Sequence, residues 1–595
     1  MTVEFPPDTN IGRNALAVLA ALPLFEEIEP AALVAIAERL EWFCIPGGTN
    51  LFSQGDAADS LYVVTSGCLG AYRNDADDKP QLIGRIQYGE TVGEGAILYQ
   101  GTRTATVVSM RDTELIRFSK DAFDSLVQEY PTAMMHIARL TMVRLEQSLR
   151  REDPRASSRS FAVIGNGATV DAPGFAHALT ESLSRLGRTE LFTRNSVDKH
   201  TSAWFNEVES RREYVVFVAD DTATPWTRQC IAQADTLILL VDAREAPHPL
   251  ENLVAAGSDV AAVQRTELVL QHRRLVRPGA AQRWLAHCPA KQHHHVASQE
   301  DIDRLARLLT GNAVGLTLSG GGARGFAHIG VIKALREAGI VIDLCGGTSI
   351  GSIMAAGLAA GWNNEQMVER FRRTFVERNP IGDYTLPLIS LAAGKRVSRL
   401  LRGEIGDIDI EDLALPFFCI STDLVSASMV VHRTGPLWRC LRASVAIPGI
   451  LPPVFHQQQI LVDGGLINHL PVDIMRGLAR GRVIGVDVGS KTPLAACDDV
   501  DELSVLARLR LLRGRRAPNI LQLLLSAGNL STKRAAAANA EQSSILLTPQ
   551  LDGIDILDWR AFDRAIEAGY RSTMERMDEI QVAIRGQRKA EPPRV

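Results

Sequence analysis

The sequence predicts an α/β protein of several domains: a large three-layer lobe on a mainly parallel sheet, a connecting α/β lobe before it, and an N-terminal β-roll. Three observations carry this expectation. The chain has 595 residues, enough for roughly three to five domains. Between residues 161 and 490 apolar strands alternate with helical stretches, the rhythm of strands crossed over by helices. Between residues 22 and 150, short β-rich runs recur about every 8–12 residues with turn residues between them, the rhythm of a small roll or barrel.

Composition narrows the function classes. Hydrophobic residues make 46% of the chain and charged residues 22%, as in folded globular protein. Sixty-four lysines and arginines stand against 69 acids, a net charge of −5, which offers no general attraction to nucleic acid and sets that class of partner aside. The 8 cysteines show no C-x-x-C spacing for zinc or a redox couple, so they read as free thiols. The start MTVEFPPDTNIGR lacks the basic region of a signal peptide, and the apolar run Ala15–Phe25 is too short to span a bilayer. The expectation is a cytoplasmic protein whose membrane contact, where it occurs, is peripheral and at the inner face.

Each segment follows in order. Residues 1–21 form an N-terminal segment, and residues 22–150 open with the helical pattern PAALVAIAERLEW. Strands follow at Leu61–Thr65, Gly70–Arg73 and Thr113–Phe118, and a helix over YPTAMMHIARLTMVRLEQSLRR closes the roll. A linker spans 151–160. In the lobe 161–310, FAVIG, YVVFVAD and TLILLVDA read as buried strands, with helices around Pro173–Leu186 and Trp226–Ala234. His287, His293, His294 and His295 precede a further helix, Glu300–Leu309. No carboxylate or cysteine stands at ligand spacing beside them, so the patch is expected to be a solvated connector rather than a metal site. The lobe 311–490 runs through GLTLSGG, a helix His328–Ala338, DLCGG, a helix Ile353–Ala360, PFFCIST, ILVDGG and VIGVDVG. Residues 491–595 read as a helical region completing or flanking that lobe; within it, ARLRLLRGRRAPNILQLLLSAGNL (507–530) alternates arginine with leucine. A packed helix with an arginine-covered outer face is favoured there over a lipid-resting one.

Three motifs fall just after strands of the lobe 311–490. Gly347-Thr348-Ser349-Ile350-Gly351 fits G-x-S-x-G between a strand and a helix, where small flanking residues permit a tight turn that lifts the Ser349 hydroxyl clear of the sheet. Ser349 is the candidate nucleophile. Ser319-Gly320-Gly321-Gly322-Ala323-Arg324-Gly325 lies between a strand and a helix, so its backbone N–H groups suit either a phosphate or the oxyanion of an acyl intermediate. A dinucleotide fingerprint is the competing reading, with Asp343 as an awkwardly placed ribose ligand. Leu461-Val462-Asp463-Gly464-Gly465 places a carboxylate at a strand end. In a mainly parallel sheet the carboxyl ends share one edge, so the three motifs are expected to converge. His328, His432, His456 and His469 have no evident triad place, which leaves a Ser349–Asp463 dyad. An aspartate near its reference pKa of about 3.9 is a poor base, so Asp463 needs desolvation or directed hydrogen bonding. No aspartate spacing suits a calcium cage, and no metal or other cofactor is expected to be required.

With these motifs in place the lobe resembles the patatin-like phospholipases, a family with a Ser–Asp dyad, a glycine-rich oxyanion loop and a D-G-[GA] segment. SGGGARGFAHIGVIKAL, GGTSIGS, ASVAIPGILPPV (443–454) and LVDGGLINHLPVDI together resemble the neuropathy target esterase branch, and TPWTRQCIAQADTLILLV resembles that branch's connecting region. The resemblance covers nearly the whole chain. It implies a patatin-like α/β fold and a serine esterase acting on lysophospholipids or phospholipids through an acyl-enzyme. Ser349 would be the nucleophile, Asp463 its base, and the amides of Gly321, Gly322, Arg324 and Gly325 the oxyanion donors. Gly320, Gly347, Gly351, Gly464 and Gly465 would support the motifs. Arg324 is also a candidate partner for lipid phosphate. Eukaryotic members carry an N-terminal membrane span and several nucleotide-binding-like domains, whereas no span and one such domain are expected here, as in a shorter bacterial-type form.

The N-terminal roll resembles a cyclic nucleotide-binding domain: Gly93-Glu94-Gly95-Ala96 followed by Thr102-Arg103-Thr104-Ala105 matches that family's phosphate-binding cassette. The resemblance implies a cyclic nucleotide effector, with Glu94 accepting from the ribose 2′-hydroxyl and Arg103 pairing with the phosphate. The alternative function is a cyclic-nucleotide-sensing module with a catalytically silent hydrolase-like lobe. Oligomeric state has no signature in the sequence.

Overall fold

The computed structural model describes residues 40–74, 80–86, 89–94, 101–110, 112–129, 159–167, 169–196, 211–248, 265–273, 276–288, 292–478, 480–489 and 541–585, with 19, 20, 33, 34, 37, 208 and 290. The expected helix over 130–151, most of the one at 30–42, the linker before 159, the stretch 507–530, and Gly95 and Ala96 lie outside these residues. The chain divides into two compact units: Met1–Arg273 with Arg283–Thr310, and Arg274–Gln282 with Gly311–Val595.

The first unit opens with a β-roll of two four-stranded sheets. One orders Glu41–Ile45, Thr113–Ser119, Ser60–Ser66 and Thr91–Val92; the other orders Asn50–Phe52, Thr106–Ser109, Leu69–Asn74 and Pro80–Ile86. All pairings are antiparallel, and Val64, Leu69, Val107 and Leu115 close the core between the sheets. The strands then become parallel, in the order Thr189–Phe192, Tyr214–Val218, Ser160–Asn166, Thr236–Asp242, Arg265–Gln271 and Gln292–Val296. Thr236–Asp242 is buried at every position, which is why its sequence is a continuous apolar run rather than an alternating one.

The histidine patch departs from expectation. His293, His294 and His295 lie on the edge strand Gln292–Val296, not in a solvated connector. His294 is buried with its Nε2 2.7 Å from Glu267 Oε2, and His295 Nδ1 lies 2.8 Å from His272 Nε2. Polar partners let the pleat carry imidazoles where an apolar pattern would have announced a strand. Among the described residues no group of three or more histidines, cysteines or acids could hold a metal.

The second unit is built on an eight-stranded sheet whose main path orders Val454–His456, Gln459–Asp463, Phe417–Asp423, Leu344–Thr348, Ala313–Leu318, Gly481–Val486 and Ile545–Leu547. From Phe417–Asp423 to Ile545–Leu547 the strands run parallel. The hairpin Val454–His456 and Gln459–Asp463 is antiparallel and joins antiparallel to Phe417–Asp423. Helices Ala327–Glu337 and Ile350–Ala359 follow the two central strands, and every residue of Ile350–Ala359 is buried. Helix Phe562–Glu575 packs on Ala327–Glu337 at a glycine crossing: a Cβ on Gly330 would overlap the Ile566 carbonyl, and one on Gly569 the Ala327 carbonyl. Among the described residues no helix is long and apolar enough to cross a membrane.

Candidate active site

Ser349 sits between strand Leu344–Thr348 and helix Ile350–Ala359 with φ 53° and ψ −127°. A side chain in this region costs of order 1–3 kcal/mol, so the surrounding packing must impose it. The glycines on either side supply that packing. A Cβ on Gly347 would lie 2.6 Å from the Leu318 carbonyl oxygen, and one on Gly351 would overlap the Ser319 and Leu318 carbonyls. The turn therefore presses against the strand leading into the glycine loop, and the serine points off the sheet edge at the positive end of a buried helix.

The Ser349 hydroxyl donates to Asp463 Oδ2 at 2.6 Å. This convergence arises differently from the expected sharing of parallel carboxyl ends, because the strand carrying Asp463 is antiparallel to its neighbour. Register explains the meeting. Thr348 pairs with Ile420, and the next residue of that strand, Ser421, pairs with Asp463. The hairpin enters from beyond the edge, pairs with Ser421, Thr422 and Asp423, and stops level with the serine turn.

Main-chain contacts hold both partners. Ser349 N–H donates to Ser444 Oγ at 3.0 Å, and Asp463 N–H donates to the Ala446 carbonyl at 3.0 Å. One segment thus steadies both members of the pair. The other carboxylate oxygen, Asp463 Oδ1, accepts from Gly465 N–H at 2.8 Å; a Cβ on Gly464 would lie 2.5 Å from the Ile420 carbonyl oxygen. Burial pushes the Asp463 carboxyl up to about 6, against the opposing pull of the Ser349 hydroxyl, the Gly465 amide and the charge of His469. Such a carboxylate is ionised at neutral pH yet far more basic than a solvated aspartate.

The glycine loop lies alongside. The position a Cβ on Gly320 would take is 3.4 Å from Ser349 Cβ. Gly321 has φ 155° and Gly322 φ 57°; among the described residues the amides of both have no acceptor. Arg324 N–H donates to the Gly321 carbonyl at 3.3 Å, and Gly325 lies within the turn Gly322–Phe326, where a Cβ would overlap Ile350. The Arg324 guanidinium is turned onto main chain, with Nε donating to the Val488 carbonyl at 2.7 Å and NH2 to the Gly489 carbonyl at 3.2 Å. Asp343 accepts from Val314 N–H at 3.0 Å at the opposite end of these strands, away from the loop.

Sequence reasoning passed over His469. The same point beside Gly320 is 3.4 Å from His469 Nδ1, so imidazole and serine are neighbours across the glycine. Its Nε2 lies 3.3 Å from Asp487 Oδ1, and the His469 side chain helps hold the Asp487 carboxyl down at about 2. His328 is wholly buried beneath the loop, 3.0 Å from the Ser319 carbonyl, and burial pushes it down to about 4. Of the described groups, Asp463 is the one that hydrogen-bonds the Ser349 hydroxyl.

In the roll, Arg103 is buried and stacks over Phe52, its centre 4.2 Å from the ring. NH2 donates to the Ser60 carbonyl at 2.7 Å and NH1 to the Gly93 carbonyl at 3.3 Å. Glu94 is buried nearby in the sequence, and Thr104 is exposed.

The fold and the serine turn define a patatin-like hydrolase: residues 316–476 match the patatin-like phospholipase family, residues 43–130 the cyclic nucleotide-binding domain, and residues 158–308 the Neuropathy Target Esterase family P-loop like domain. An NTE family protein of Mycobacterium bovis is 31% identical over 575 residues, covering 94% of this chain and 95% of that one. The chain belongs to the neuropathy target esterase family. Lysophospholipase nte1 of Aspergillus fumigatus is 29% identical over 683 residues, covering 97% of this chain and 45% of that one, so this chain spans less than half of it. Among solved structures, a cyclic nucleotide-binding domain from Methylobacillus flagellatus is 19% identical with a TM-score of 0.23, covering 25% of this chain and 86% of that one.

Proposed function

We propose that the protein hydrolyses acyl esters of lysophospholipids and phospholipids through an acyl-enzyme on Ser349. The observation that carries the reading is the 2.6 Å hydrogen bond from a hydroxyl held in a left-handed turn to a desolvated carboxylate. Asp463 takes the Ser349 proton as Oγ attacks the ester carbonyl carbon, and the Gly321 and Gly322 amides receive the oxyanion. Collapse breaks the ester C–O bond, and the departing glycerol oxygen takes the proton from Asp463. Water then gives its proton to Asp463 and attacks the acyl carbon. When Ser349 leaves, its oxygen recovers that proton and the fatty acid is free. The lysophospholipase name of the Aspergillus relative supports the lipid class. Fatty-acid release from a panel of lysophospholipids and phospholipids tests it; turnover confined to non-lipid esters would refute the substrate class.

The same proposal gives the roll a cyclic nucleotide effector. Its phosphate would draw the Arg103 guanidinium from the Gly93 and Ser60 carbonyls. Isothermal titration with cyclic AMP and cyclic GMP decides this: saturable heat supports it, and no heat at saturating nucleotide removes the effector.

A further inference from the structure

We infer that the loop 384–391, with Leu424, Val425 and Phe455, is a docking surface by which the catalytic unit seats itself on an anionic phospholipid bilayer. This rests on the lipid-ester reading of the Ser349 site and adds where the enzyme meets its substrate's surface.

The sequence from Tyr384 to Leu391 carries five large apolar side chains, and all five are exposed: Tyr384 and Leu386 at 74%, Leu388 at 84%, Ile389 at 68% and Leu391 at 45%. Single exposed apolar residues are ordinary, but a contiguous group marks a surface that meets something apolar. The backbone here is tied down rather than loose. Thr385 N–H donates to the Leu391 carbonyl at 2.9 Å, Leu391 N–H to the Gly449 carbonyl at 2.9 Å, and Ala392 N–H to the Ile450 carbonyl at 2.9 Å. The fold therefore holds these side chains outward.

Both apolar groups are tied by main-chain bonds to segments that carry site residues. Gly449 and Ile450 continue the segment whose Ser444 and Ala446 steady Ser349 and Asp463. Leu424 N–H donates to the Ile460 carbonyl at 2.9 Å, and Phe455, 69% exposed, pairs with Ile460 on the strand that ends in Asp463.

Charge selects the occupant. The helix Lys395–Ile405 begins just beyond the loop, and its Lys395 and Arg399 are exposed with no ion pair among the described residues. The one acid between residues 383 and 399, Asp383, faces inward and accepts from Arg396 N–H at 2.9 Å. Apolar side chains followed by unpaired cations suit the acyl boundary and phosphate layer of an anionic membrane. A second copy of this surface would instead bring like charges together.

Co-sedimentation with vesicles of phosphatidylglycerol and phosphatidylcholine, or of phosphatidylcholine alone, tests the inference on the full chain. Two variants are compared with the parent: Leu386→Ser/Leu388→Ser/Ile389→Ser and Lys395→Glu/Arg399→Glu. All five positions are exposed, so the fold should survive the changes. The parent is expected to bind the anionic vesicles, the triple variant to partition about tenfold or more weakly, and the charge variant to lose its preference for phosphatidylglycerol. Both should cleave a water-soluble p-nitrophenyl ester as the parent does while losing turnover of vesicle-borne lipid. Parental vesicle binding by the triple variant, no binding by the parent, or a parental dimer that the triple substitution dissolves would each overturn the inference. A parent that binds vesicles but cleaves no ester would refute the esterase reading and leave the docking surface standing.

Discussion

Ser349 Oγ and Asp463 Oδ2 stand 2.6 Å apart across 114 residues of sequence, brought together by a strand that runs against its neighbours. The antiparallel hairpin ends level with the serine turn because Asp463 pairs with Ser421, one residue beyond the partner of Thr348. The carboxylate therefore enters from outside the sheet edge and is buried as it arrives. Its burial raises its basicity, so proximity and basicity share one topological cause.

The first consequence is a pH profile. With the Asp463 carboxyl raised to about 6 and required as carboxylate, kcat/KM should rise with pH through about 6 and level above it. Below that limb it should fall about tenfold per unit. A solvated aspartate would place the limb about two units lower. Initial rates on a soluble ester from pH 4 to 9 measure it.

The second concerns His469. Protonated, it would pull the Asp463 carboxyl down, so His469→Asn should move the acid limb to higher pH. The Gly320 N–H bond to the main-chain carbonyl at 469, 3.2 Å long, is kept in the variant. An unmoved limb with a uniform loss of rate would mean that His469 acts through packing alone.

The third is thermodynamic. A carboxyl raised from 3.8 to about 6 binds its proton more tightly in the folded protein than in the unfolded chain. That contribution is present below the unfolded value and lost as pH rises through the folded one. Asp463→Asn does not titrate, so its stability relative to the parent should grow between about pH 4 and pH 6, by at most about 3 kcal/mol. Thermal melts of both proteins across that range report it, and a constant difference would contradict the account.

The meeting of Ser349, the glycine loop and Asp463 was legible because the turns that place them need particular residue types, and turns leave local signatures. The hairpin that delivers Asp463 was not. Its connection is Gln457-Gln458, with φ 46° and 64°, whereas two-residue turns with two positive φ values normally announce themselves with asparagine, aspartate or glycine. His469 was passed over for another reason. Its partner Asp487 follows strand Gly481–Val486, and the two meet only through the order of strands in the sheet. The histidines of Gln292–Val296 concealed a strand because buried polar partners stood in for the apolar pattern.

The most direct test is the fate of Ser349 during turnover. Mass spectrometry of protein quenched with a slow ester, or labelled with a fluorophosphonate, should place the adduct on the peptide containing Ser349. Ser349→Ala should take no adduct and lose at least about a thousandfold in kcat, with an unchanged circular dichroism spectrum. Undiminished hydrolysis by that variant, or an adduct at another residue, would contradict the account.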